Sequence, residues 1–155
     1  METKPTHEQA QLQLQLYDMR RETRMRQGRD WYFKNYFPQT FEDSMRIAGF
    51  GTENGQLVMM VWSYWEQVCA MLNHGLLHED LFFETNGEFW GVWGRVEPII
   101  QQCRQTFSNK NFLVNLEKAA KRFESWMENR SPGHLATMRQ FMKQMPSQTQ
   151  AAAKA

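Results

Sequence analysis

Two cysteines in 155 residues are too few for a disulfide framework, and Cys69 and Cys103 both fall at apolar positions of helical patterns. A free thiol in such a place behaves as a small hydrophobe, so a reducing, cytoplasmic setting is the expectation. A chain this long buries roughly 70% of its unfolded surface and needs neither disulfide nor structural metal. A long hydrophobic run is also missing. The nearest approach, Leu57 to Leu72, is interrupted by Ser63, Glu66 and Gln67. A bilayer span needs about 20 apolar residues and tolerates a central acid poorly, so this run reads as a buried core helix. Residues 1–11 are polar and lack the apolar region of a secretory signal.

Net charge is nearly absent too, at +1, which argues against the strong basic excess of nucleic-acid binders. Its distribution is uneven. Residues 1–34 carry seven Lys/Arg against five acids, residues 35–103 two against nine, and residues 104–155 nine against three. Two readings follow: basic ends that bind nucleic acid, or basic C-terminal helices lying against the acidic middle of the same chain. The second is the simpler and the preferred one.

What is present is helical periodicity. Thr6 with Gln9 has the form of a capping box, and Leu12, Leu16 and Met19 follow in steps of four and three. The spacing predicts a helix to about Gln27, with Gly28 as its stop. Its narrow apolar stripe is expected to lie on the body by one edge or to pair with a second copy. The arginines at 20, 21, 24, 26 and 29 read as a solvated face. An aromatic cluster from Trp31 to Phe37, ended by Pro38, is expected to cap the core, with base stacking the sharper alternative. Thr40 with Asp43 opens a short helix to Ala48.

The central helix carries Leu57, Val61, Tyr64, Val68 and Met71 on one stripe and Val58, Trp62, Trp65, Cys69 and Leu72 on the next. Other helices must surround it. Gly75 stands where a left-handed cap is expected. Leu76 to Thr85 reads as a short helical segment, then Asn86 as the N-cap of a helix with Phe89, Trp93, Val96, Ile100, Cys103 and Phe107 in its seam. Pro98 predicts a kink near Gly94. Helices over 111–130 and from Leu135 to Met145 complete an all-α, single-domain bundle of five to seven helices. The expected organisation is an N-terminal amphipathic helix (1–29), a bundle domain (30–145) and a disordered Ala/Gln tail (146–155).

Chemistry is sparse. His74 and His78 have metal-ligand spacing, but a helix broken at Gly75 cannot hold both on one face, so no metal or cofactor is predicted. No nucleophile elbow, phosphate loop or Cys-x-x-Cys occurs, and Cys69 lacks an activating base. Glu66 is the one acid in an apolar helix. It reads either as a ligand-anchoring group in an inter-helix cavity, together with Glu88 and Arg95, or as the partner of a facing Trp or Arg95. Gly75, Asn86 and Pro98 are the structural positions. The methionines at the chain ends suit an adaptable surface or plain core filling.

Tyr64-Trp65-Glu66, Gly75-Leu76-Leu77-His78-Glu79, Asn86-Gly87-Glu88, Glu97-Pro98 and Arg104 together resemble a family of uncharacterised bacterial helical proteins, many of them acidobacterial, grouped as a domain of unknown function. Phe37-Pro38, Phe41 and the stretch from Asn111 to Glu117 fit as well, so the similarity spans residues 36–127. His78 departs from it, since relatives more often carry an acid there. The resemblance implies a helical bundle and brings no activity. The functional expectation is a non-enzymatic interaction or scaffold module, a homodimer through Leu12, Leu16 and Met19, with a small-ligand pocket at Glu66 and nucleic-acid binding as the alternatives.

Overall fold

The computed structural model describes the backbone of residues 3–154 and the side chains of residues 3–144. The expected tail, 146–155, therefore lies outside the described side chains. Nine α-helices and no strand occur among the described residues: α1 (His7–Arg20), α2 (Thr23–Asn35), α3 (Phe41–Ala48), α4 (Glu53–Asn73), α5 (Glu79–Thr85), α6 (Glu88–Val96), α7 (Ile100–Thr106), α8 (Val114–Arg130) and α9 (His134–Lys154). The chain is all-α, with slightly more helices than expected because two predicted helices are each divided. None of the helices among the described residues is long and apolar enough to cross a membrane.

The core is built around α4, which packs against α2, α3, α6 and α8. Its two apolar stripes bury Leu57, Val58, Val61, Trp62, Trp65, Val68, Cys69 and Leu72. Only the strip through Glu53, Gln56, Met59, Ser63 and Gln67 stays exposed. Gly75 takes φ +78 and closes the helix: its N–H donates to Leu72 O and that of Leu76 to Met71 O, the two bonds of a Schellman cap. The aromatic cluster caps the core as expected. Tyr32 is fully buried, donates to Val92 O at 2.8 Å and accepts from Trp62 Nε1 at 3.2 Å, while the Tyr36 hydroxyl bonds Ser44 Oγ at 2.7 Å.

Three boundaries differ from the sequence reading. The first helix does not reach Gln27: the Glu22 carboxylate accepts from the N–H groups of Arg24 and Met25 and starts α2 there. Gly28 is no stop, but sits buried inside α2 against α4, where a Cβ would meet Met60 Cε at 2.6 Å and Leu57 O at 3.5 Å. Asn86 is not the N-cap of α6. It closes α5 instead, its Nδ2 donating to Phe82 O at 3.2 Å, and Gly87 takes the N-cap position without a side-chain bond. Pro98 leaves Gly94 in regular helix and interrupts the chain at itself, as a 3-10 turn over Glu97–Ile99. A proline lacks the N–H that would continue the ladder, and tightening one turn absorbs that loss locally.

Candidate functional site

Glu66 lies half-buried on α4, opposite the start of α8. That start is poorly served by its own sequence, because Leu113 at the N-cap is apolar and left-handed, with φ 54. Glu66 supplies what is missing. Its Oε1 accepts from the N–H of Asn115 and from Asn115 Nδ2, both at 3.0 Å, and its Oε2 accepts from Leu116 N–H at 2.8 Å. A carboxylate on the orphan amides of a helix start satisfies them and suits the positive end of the dipole. The partner is thus neither a tryptophan nor Arg95.

The bond network continues outward. Asn73 Nδ2 donates to Asn115 Oδ1 at 2.9 Å, and Arg122 donates to Asn73 Oδ1 at 2.8 Å and to Glu79 at 2.9 Å. These side chains tie α4, α5 and α8 together. Asp80 accepts from Trp126 Nε1 at 2.7 Å and lies 3.5 Å from Arg130. Arg122 and Arg130 of α8 therefore rest on the acids of α5, and Arg104 pairs with Glu117 at 2.6 Å.

Glu88 faces α2. Arg29 grips it from Nε at 2.9 and 3.0 Å and from Nη2 at 2.7 Å, and Arg20 stands 3.7 Å away. Arg20 also lies over the rings of Tyr17 and Trp65, at 4.9 and 5.7 Å. Tyr64 donates to Leu16 O, so the Tyr-Trp-Glu stretch anchors α1 with one residue and α8 with another. Two atoms here are buried without a partner, Arg20 Nε and Trp65 Nε1.

Arg95 occupies the other end of α6, and is buried. Its Nη1 donates to Phe33 O at 3.2 Å and Tyr36 O at 3.1 Å, and its guanidinium stacks 3.8 Å above Phe37. Desolvation pulls its pKa down. The three side chains singled out from sequence thus serve different junctions and share no partner. Sequence reasoning missed Arg29, Arg122 and Asn115. Arg29 stood within an arginine run read as solvated, and the other two carried no local signal at all.

The histidines are structural as well. His74 is the C-cap of α4, and His78 caps α5 by accepting Leu81 N–H on Nδ1 at 3.2 Å, while Nε2 bonds Thr3 O. No cluster of three or more His, Cys, Asp or Glu suited to a metal occurs among the described residues. Burial pushes the Cys69 thiol up, and pushes that of Cys103 to about 11.

The arrangement defines a helical module whose polar side chains join helix to helix. The family described as "Domain of unknown function (DUF4760)" matches residues 5–123, and the chain belongs to it. The matched stretch runs from before α1 into α8 and leaves α9 outside. No curated protein and no solved structure matches the chain.

Proposed function

We propose that this protein is a non-enzymatic helical scaffold or interaction module. The observation that supports it is the use made of Glu66: the acid best placed to be a base or ligand anchor is spent on the N-terminus of α8. Glu88 is spent likewise on Arg29. The test is a thermal melt of Glu66→Ala beside wild type. A structural cap removed from a helix start costs about 0.5–2 kcal/mol, so the melting temperature falls by several degrees. A variant as stable as wild type overturns the assignment and returns Glu66 to the role of a free functional carboxylate.

Self-association is a second reading, supported by a displaced surface. The expected stripe is divided, because Leu16 is buried at 7% exposure and Leu12 packs on the same core, leaving Met19 outside. The apolar groups of α1 that face solvent are Leu14 and Tyr17, one turn apart, at 69% and 49% exposure, with Met19 at the helix end at 57%. Removing residues 1–28 would strip Leu16 and Met25 from the core, so the test is a point change. Light scattering on Leu14→Glu should give a monomer where wild type gives a dimer. Monomeric wild type across the concentration range ends this reading.

A further inference from the structure

Among the described residues Arg95 is the one charged side chain that is buried, at 8% exposure. No carboxylate of the described residues forms an ion pair with it. Its partners are two carbonyls and the faces of Phe33 and Phe37, which offer partial but no formal negative charge. An arginine cannot shed its proton, and a buried cation without an anion is costly to keep. The side chain nevertheless lines a cavity of about 460 Å³ between α6 and α9. That volume lies in the range of small-molecule sites.

The space exists because α6 presents glycine here. At Gly94 no atom lies within 4 Å of where a Cβ would stand. Phe37, Trp90, Pro98 and Met142 supply apolar wall. Of the remaining charges, Arg139 and Glu124 neutralise each other at 2.8 Å, while Lys143 and Glu97 are exposed at the rim. Arg95 is therefore left as the unbalanced charge inside.

We propose that this cavity binds a small monocarboxylate with a flat apolar body, its carboxylate on Arg95 and its body against Trp90, Pro98 and Met142. A planar guanidinium matches the two oxygens of a carboxylate, and flat rings suit an aromatic wall. With Arg139 set against Glu124 and Lys143 against Glu97, the lining keeps the single positive charge of Arg95, which matches a monoanion better than a dianion such as a phosphate monoester. The site is independent of the scaffold reading, which concerns Glu66 and Glu88.

Calorimetric titration of the full chain with phenylacetate, its neutral amide phenylacetamide, and inorganic phosphate tests it. Phenylacetate should saturate with a Kd below about 5 mM, and at least about tenfold more tightly than the amide. Gly94→Leu, which fills the cavity while keeping the helix, should abolish binding without lowering the melting temperature. Gly94→Met does the same with a more flexible side chain should leucine disturb the fold. Equal binding of acid and amide, a preference for phosphate, absence of saturation, or binding undiminished by a filled cavity overturns the proposal.

Discussion

Arg29 reaches across from α2 to take both oxygens of Glu88 at the first turn of α6, with its Nε at 2.9 and 3.0 Å from them. Both side chains are about four-fifths covered, at 22% and 18% exposure, so solvent screens the pair only partly. Arg20 adds a second positive charge 3.7 Å from the same carboxylate. Removing Arg29 alone leaves Glu88 partly buried with a weaker partner. Arg29→Ala should cost about 1–3 kcal/mol, and Arg29→Ala with Glu88→Ala less than the sum of the two single changes. Urea denaturation of the three variants measures the coupling, and strict additivity would show that the pair contributes nothing as a pair.

Gly55 makes a different demand. It is buried in the first turn of α4, and its N–H donates to Thr52 Oγ1 at 3.0 Å. A Cβ there would run into the Gly49 carbonyl and come within 3.2 Å of Ala48 O. Both obstacles are backbone, so the link between α3 and α4 must shift. Gly55→Ala should lose about 1–3 kcal/mol, the range for overpacking a tight site. Gly94→Ala, with open space around its Cβ, should be neutral or gain up to about 1 kcal/mol from helix propensity. Similar denaturation midpoints for the two variants would refute the distinction.

These cases show which features could be read in the sequence. The stripes of α4, the cap at Gly75 and the capping boxes at Thr6 and Thr40 were legible, because each is decided within a turn or two of chain. Asn86 and Glu22 illustrate where that fails. At Asn86 the helix end and the next helix start are neighbours, and at Glu22 a pattern that reads as one helix is broken and restarted; in each case a side-chain bond, to Phe82 O or from Arg24 N–H, decides the boundary. Glu66 was recognisable as an acid in an apolar helix, but its partners lie 49 and 50 residues away and include backbone amides, which no pattern of residue types announces. The sequence offers Arg95 as a companion of Glu66 in a cavity or as its partner. Its setting beside Phe37 and α9 arises only when distant helices meet.

The thiols give a test that spans reactivity and alkaline stability. Cys69 and Cys103 are buried, and desolvation raises both pKa values, that of Cys103 to about 11 from the ordinary value of 9.0. A thiol whose pKa is raised by folding stabilises the fold below its unfolded value, and that contribution is lost as pH rises toward the folded one. Stability should therefore decline from about pH 9 upward. In the native state at pH 8, an aromatic disulfide reagent should label neither thiol in minutes and both promptly in denaturant. Fast labelling of the folded chain would place at least one thiol at an accessible, activated position.

Acid should act through the opposite sign. Burial works against ionised Glu117, yet hydrogen bonds from Lys121 and Arg104, both at 2.6 Å, bring its pKa below the ordinary value of 4.5. The capping carboxylates Glu22 and Asp43 are lowered too, Glu22 chiefly by the N–H groups of Arg24 and Met25, Asp43 first by Arg46. A carboxyl with a lowered folded pKa binds more protons when unfolded. Its stabilisation is complete above about pH 5 and drains away as pH falls through the folded value. The melting temperature should be level from about pH 7 to 5 and drop progressively toward pH 2. Glu117→Gln removes the most covered member of this group and leaves the two capping carboxylates, so its melting temperature should start lower at neutral pH and fall less steeply on acidification. Parallel acid profiles for wild type and Glu117→Gln would mean that the Arg104–Glu117–Lys121 cluster does not carry the acid sensitivity of the fold.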